Sequence, residues 1–276
     1  MRLIHALDPV RTAQLDTEGL RSNYHVSGLF TPGTVELVGW EVERAVIGSA
    51  VPTTAALTLE VPKELAAAFF CERRELGVIN IGGAGTIEVD GQAFAIANGD
   101  ALYVSRGSKS VIFRSADAAA PALFYLLSYP AHAAYPTKVV RRAEANEVRL
   151  GSKAEANERV IRQFIRPGVC ESCQLVMGYT ELAEGSVWNT WKPHTDGRRS
   201  EVYMYFGIQP DECVMHFLGK PEETRHLVVR NQEVALSPNW SIHSGCGTKA
   251  YTFIWGMGGE NQVFTDMDAV AMTTLR

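Results

Sequence analysis

Residues 77–113 read GVINIGGAGTIEVDGQAFAIANGDALYVSRGSKSVIF, and this stretch decides the fold class. Short apolar or alternating runs (VINI, TIEV, AFAI, ALYV, SVIF) are separated by Gly82-Gly83, Asp90-Gly91, Asn98-Gly99-Asp100 and Arg106-Gly107-Ser108. Short strands at regular spacing with turn residues between them mean a β-sandwich or barrel. Asp90-Gly91 and Asn98-Gly99 supply the positive φ angles that tight hairpin turns require. The glycine-rich run 82–85 leads into another strand-like segment rather than the helix a dinucleotide fingerprint needs, so a tight turn is expected there.

Outward from this stretch, residues 1–60 look mixed, with a helix expected over 12–23. Residues 135–156 are polar and rich in Arg and Glu, and read as a connector. After them the β pattern resumes in CQLVMGYTEL, SVWNTW, EVYMYF, CVMHFL, RHLVVR, EVALS and AYTFIW. The halves echo each other. Gly107-Ser108-Lys109-Ser110-Val111-Ile112-Phe113 parallels Gly247-Thr248-Lys249-Ala250-Tyr251-Thr252-Phe253, and Asp100-Ala101-Leu102 parallels Val234-Ala235-Leu236. Arg73-Arg74-Glu75 opens a strand in one half as Arg198-Arg199-Ser200-Glu201 does in the other. Units of this length suggest two copies of one β-barrel rather than a solenoid. The expected division is 1–140 and 141–276.

A length of 276 residues accommodates two such units. Hydrophobic content of 46% and charged content of 21% are those of a soluble globular protein. A formal charge of −5 leaves no basic footprint for nucleic acid, although a local basic pocket can still take an anionic metabolite. The first twenty residues lack a continuous apolar region, so no signal peptide is expected. The apolar runs are strand-sized, too short to cross a bilayer. Five scattered cysteines (Cys71, Cys170, Cys173, Cys213, Cys246) suit a reducing compartment, and a cytoplasmic location is expected. Cys170-Glu171-Ser172-Cys173 runs into a strand rather than opening a helix, and both thiols read as incidental.

Ligand-type residues concentrate in the second half. His194-Thr195-Asp196 precedes Glu201, and His243 follows about one β-meander later. Residues two apart on a strand point to one side, so His194 and Asp196 are expected to face one interior. Glu201 would point into it from the next strand, and His243 from a later one. Imidazole and carboxylate donors from several strands suit Zn²⁺ or another first-row divalent ion. The corresponding places of the first half, residues 69–74 and 105–106, hold no histidine, so that half is expected to be metal-free. His216 and His226 read as weaker candidates, and a single histidine in a β protein is usually hydrogen-bonded core or surface.

The run 72–85 (ERRELGVINIGGAG) with Tyr135-Pro136-Thr137-Lys138 resembles the first half of the 5-keto-4-deoxyuronate isomerase family. Glu223-Thr224-Arg225-His226, Trp240-Ser241-Ile242-His243-Ser244-Gly245, YTFIWG at 251–256 and GENQVF at 259–264 resemble its second half. The resemblance spans essentially the whole chain. It implies an all-β bicupin with some helix, two tandem cupin-type jelly-roll barrels, assembled as a homohexamer. It implies a ketol-isomerase converting 5-dehydro-4-deoxy-D-glucuronate to 3-deoxy-D-glycero-2,5-hexodiulosonate in pectin and uronate breakdown. It also implies Zn²⁺ on His194, Glu201 and His243. The family pattern reads His-Thr-His where this chain has His194-Thr195-Asp196, so Asp196 is expected to ligate through oxygen, which tilts preference toward Mn²⁺ or Fe²⁺. Glu223 and His226 are candidate proton shuttles from the matching segment. Arg198, Arg199, Arg225 and Lys138 are candidates for the substrate carboxylate. Two other functions fit the same donors: a non-heme iron oxygenase and a non-catalytic sugar-acid-binding cupin.

Overall fold

The computed structural model describes residues 1–276, which divide into two compact units. One comprises Met1–Ile4, Gly28–Ala145 and Phe164–Val176; the other comprises His5–Ser27, Asn146–Gln163 and Met177–Arg276. Each is a pair of antiparallel-rich sheets, and together they are all-β with short helices, as expected of a bicupin. In the first, a seven-stranded sheet runs Arg2–Ile4, Val35–Trp40, Ala45–Ala50, Phe124–Pro130, Arg74–Asn80, Ala101–Val104, Lys138–Val140. Facing it is a four-stranded sheet of Leu57–Thr58, Val111–Ser115, Gly85–Val89 and Gln92–Ile96. The second unit repeats this plan. Its larger sheet runs Asn146–Leu150, Arg159–Ile165, Val176–Leu182, Thr252–Gly259, Arg199–Phe206, Glu233–Ser237, His25–Val26. Its smaller one runs Trp188–Asn189, Ser244–Gly247, Val214–Lys220, Glu223–Val229.

Several local expectations need correction. The helix expected over 12–23 is two helices, Pro9–Thr12 and Thr17–Tyr24, because Asp16 turns its side chain onto Gly19 N at 2.8 Å and caps the second. The polar connector contains two edge strands, Lys138–Val140 and Asn146–Leu150. Edge strands bury little of either face, which hides them from a hydrophobicity reading. Asp90 and Gly91 have φ of 49° and 84° and close the hairpin between Gly85–Val89 and Gln92–Ile96. Asn98-Gly99 instead joins strands of different sheets; only Gly99 has positive φ, while Asn98 donates to the Gly82 carbonyl.

The topology also corrects the internal repeat. Val111–Ser115 corresponds in sheet position to Ser244–Gly247, and Phe124–Pro130 to Thr252–Gly259. The two Gly-x-Lys segments therefore precede non-equivalent strands, and their likeness is local turn chemistry. Arg74 and Arg199 do correspond, each opening the strand paired to its sheet neighbour at Pro130 and Gly259. From that anchor Leu76 stands where Glu201 stands, and Val104 where Ser237 stands. The parallel between 100–102 and 234–236 is thus one residue out of step, and a one-residue slip reverses every side chain's face.

The interior of the first unit is apolar: Leu76, Val78, Leu102, Val104, Phe113 and Phe124 share one core. One acid in that unit is fully buried. Glu75 lies on the opposite face of the strand from Leu76 and accepts from Cys173 N, Gln174 N, Leu175 N and the Tyr103 hydroxyl at 2.6–2.9 Å. These bonds fasten residues 173–175 to the sheet. Glu75→Ala would leave four donors without their acceptor, those of Tyr103 and Leu175 fully buried, and is expected to cost about 3 kcal/mol, read as a lowered denaturant midpoint.

Candidate metal centre

The second unit fills the equivalent interior differently. Strand alternation along Arg199–Phe206 turns Glu201, Tyr203 and Tyr205 inward, and Glu201 pairs with Ser237 and Met257 on the neighbouring strands. His194 opens the two-residue strand His194–Thr195, which pairs with Asp268–Ala269. His243 sits just ahead of Ser244–Gly247. The three side chains are buried, and one donor atom from each lies within 4.8 Å of the other two. His243 Nε2 is 2.8 Å from His194 Nε2 and 2.9 Å from Glu201 Oε2. Two imidazole nitrogens and a carboxylate oxygen crowded around one point are the donor set a first-row divalent ion takes.

The surroundings favour ion binding over protonation. His243 Nδ1 lies 3.1 Å from Ser237 Oγ; with that nitrogen protonated and donating, the Nε2 lone pair points at the cluster. Burial, reinforced by His243 and Arg199, pushes the His194 imidazole down to about 2, so it stays neutral and able to ligate. His216, fully buried with Nδ1 2.7 Å from the Tyr205 hydroxyl, is likewise lowered to about 3 by burial.

These lowered values have a definite sign. A histidine that titrates near 6.5 when unfolded and near 3 when folded takes up its proton only in the unfolded chain between those limits. Stability is then full above pH 6.5 and falls as pH drops toward 3, by up to about 1.4 kcal/mol per pH unit for each such group. Urea unfolding of chelated protein from pH 7.5 to 4.5 should show this slope, and His216→Gln should make it shallower.

Asp196 does not join the three converging donors. The strand ends at Thr195, so the alternation expected to align Asp196 with His194 is broken. Asp196 Oδ2 instead receives Arg199 Nε at 2.7 Å and Nη2 at 2.5 Å, while Oδ1 is buried without a hydrogen-bond partner. Arg199, 1% exposed, uses its remaining donors on the carbonyls of Val263 and Asp266. Arg198 grips Asp266 through two bonds of 2.7 and 2.9 Å and Asp268 through one of 2.8 Å. Both arginines thus tie down the C-terminal segment that brings Phe264 and Met267 to the cavity wall. Asp196→Ala would strand a buried guanidinium. It is expected to cost about 3–5 kcal/mol in unfolding free energy and, by loosening the strand that carries Glu201, to weaken metal affinity roughly 10- to 100-fold in calorimetric titration.

The remaining expected site residues lie elsewhere. Glu223 and Arg225 pair with each other at 2.7 Å on strand Glu223–Val229, Arg225 also donates to the Ala13 carbonyl, and His226 on the same strand is exposed. That strand is the outer edge of the smaller sheet. Lys138 belongs to the first unit and donates to the Val169 carbonyl. None of the six residues Arg198, Arg199, Arg225, Lys138, Glu223 and His226 lines the cavity that His194 and Glu201 share.

That cavity is small, about 100 Å³, and opens to solvent. Arg159, Thr190 and Tyr203 supply further polar groups, and Phe253, Trp255 and Met257 its apolar wall. Burial, with Glu201 nearby, raises the Tyr203 phenol well above its ordinary value, which keeps it a hydrogen-bond donor. Arg159 was detectable in principle: it shares the inward phase of its strand with Ile161, where a charge is anomalous.

Paired β-sheets with buried imidazoles and a carboxylate converging beside a small cavity define a cupin-type protein with a candidate metal centre. More narrowly, the chain belongs to the KduI/IolB family, whose model matches residues 30–272. It is 53% identical over 264 residues to 4-deoxy-L-threo-5-hexosulose-uronate ketol-isomerases of Escherichia coli and Shigella flexneri serotype 5b, covering 95% of each chain. Among solved structures it is similar to an IolB-like protein from Salmonella typhimurium (TM-score 0.72, 11% identity, 90% of this chain and 97% of that one). It is also similar to Bacillus subtilis oxalate decarboxylase (TM-score 0.61, 10% identity, 87% and 78%). These two structures bear on the fold alone. No helix is long and apolar enough to cross a membrane.

Proposed function

We propose that this chain is a ketol-isomerase of 4-deoxy-5-keto-uronates, converting 5-dehydro-4-deoxy-D-glucuronate to 3-deoxy-D-glycero-2,5-hexodiulosonate. The observation that carries the reading is the convergence of His194, Glu201 and His243, two of which line a small cavity, in a chain 53% identical to named isomerases. The reaction moves the C2 proton to C1 while the carbonyl passes from C1 to C2, so no outside oxidant or reductant is consumed. His194, Glu201 and His243 would hold a divalent ion, Zn²⁺ first and Mn²⁺ or Fe²⁺ as alternatives, which would supply Lewis-acid polarisation of the carbonyl. The chain does the rest. Tyr203 offers a hydroxyl proton to a substrate oxygen, and the wall of Phe253, Trp255 and Met257 keeps water from the reacting carbons. Ser237 fixes the His243 ring, and Asp196 serves as the counter-ion of Arg199 in place of a fourth ligand. The first unit, with Leu76 at the position of Glu201, is scaffold without a metal. A homohexamer in the cytoplasm, acting in pectin and uronate catabolism, completes the reading.

Metal analysis of protein purified without chelator, joined to an anaerobic assay of ketose formation, tests this. About one divalent ion per chain is expected, and its removal should abolish turnover until Zn²⁺ or Mn²⁺ is returned. Glu201→Gln should lower kcat/KM by ~10²-fold or more, with weakened metal retention. Oxygen consumption with Fe²⁺ would identify an oxygenase instead, and tight binding of the sugar acid without turnover a binding protein.

A further inference from the structure

We propose that Arg159 is the carboxylate-binding residue of the cavity, setting specificity for acidic over neutral sugars; this rests on the isomerase reading. Arg159 opens strand Arg159–Ile165 and is only 8% exposed. Its Nη1 donates to the Asn157 carbonyl at 2.9 Å, which holds the guanidinium in place. Its Nε is buried and has no partner in the protein. A buried N–H left unpaired is costly, and a ligand or an ordered water ordinarily completes it. Arg159 is also the one lysine or arginine among the cavity-lining residues, which include His194 and Glu201.

The other cations considered for this role are already engaged. Arg198 is held by Asp266 and Asp268, Arg199 by Asp196 and two carbonyls, Arg225 by Glu223 and the Ala13 carbonyl. A guanidinium keeps its charge when buried, and its planar edge matches a carboxylate. Apolar walls around it strengthen that attraction by excluding water. This keto-uronate has its reacting C1 aldehyde and its C6 carboxylate at opposite ends of six carbons. Arg159 therefore orients it, directing the carbonyl end toward His194, Glu201 and His243. No bond is made or broken at Arg159; its role is binding and alignment.

The test compares the keto-uronate with its methyl ester, which is isosteric at the reacting end and lacks the charge, on the zinc-loaded full chain. Wild type should favour the acid in kcat/KM by roughly 10- to 100-fold. Arg159→Gln should lose most of that preference through KM, with ester turnover and bound zinc little changed, and Arg159→Lys should recover part of it. An acid-to-ester ratio unchanged in Arg159→Gln, or a wild type that treats acid and ester alike, overturns the assignment. If Arg159→Gln shows no cooperative melting transition, the same ratio is read from Arg159→Lys. A wild type that isomerises neither compound refutes the isomerase reading separately; calorimetric titration of D-glucuronate against its methyl ester then reads Arg159 alone, with a preference lost in the variant supporting it and a preference retained overturning it.

Discussion

The candidate site depends on one buried ion pair, Arg199 with Asp196. A guanidinium taken wholly out of water is tolerable only when its charge is matched and its donors are used. Here Asp196 provides the charge, and the carbonyls of Val263 and Asp266 take the other bonds. The consequences run in two directions. Arg199 opens the strand carrying Glu201, two residues on and facing the cavity, so fixing Arg199 fixes the start of that alternation. The same guanidinium holds residues 263–266, which bring Phe264 to the cavity wall. Donor placement and enclosure of the cavity are coupled through a single side chain.

The two units show how little separates a packed core from a potential centre. Both place an arginine at the head of the equivalent strand, and in both it is buried with hydrogen-bonded donors: Arg74 uses Ser128 and the carbonyl of Arg44. Two residues on, one strand presents Leu76 to an apolar core, the other Glu201 to two imidazoles. Across from these positions stand Val104 and Ser237, and only a hydroxyl can orient a histidine ring. The backbone plan is shared, and the chemistry is decided by inward-facing positions of a common register.

Much of this was legible in the chain itself, for identifiable reasons. Strands with strong alternation and Gly-rich turns announce themselves, which is why the β architecture and Asp90-Gly91 were readable. His194, Glu201 and His243 were singled out by residue type and by family resemblance, and they do converge. What failed was anything decided by non-local partners. His25–Val26 is a two-residue strand that joins the second unit's sheet, and no local pattern marks it. Asp196 looked like a ligand two residues from His194, but a buried arginine three residues further on claims it. Arg198 and Arg199 looked like substrate anchors because charged side chains are easy to notice. Their partners at 263–268 lie some sixty-five residues away in sequence and were invisible to spacing.

Charge balance explains why the cations divide into these two roles. The aspartates at 196, 266 and 268 meet Arg198 and Arg199 outside the cavity lining, so those five side chains sum to one negative charge and leave the interior to be balanced by its own groups. Inside, the imidazole of His194 is neutral, Glu201 contributes one negative charge and Arg159 one positive. The lining by itself is therefore balanced, and a divalent ion would raise it to plus two. A uronate brings one negative charge in its carboxylate, which meets part of that excess where a neutral sugar meets none, so the same lining that would hold a divalent ion also favours an acidic substrate.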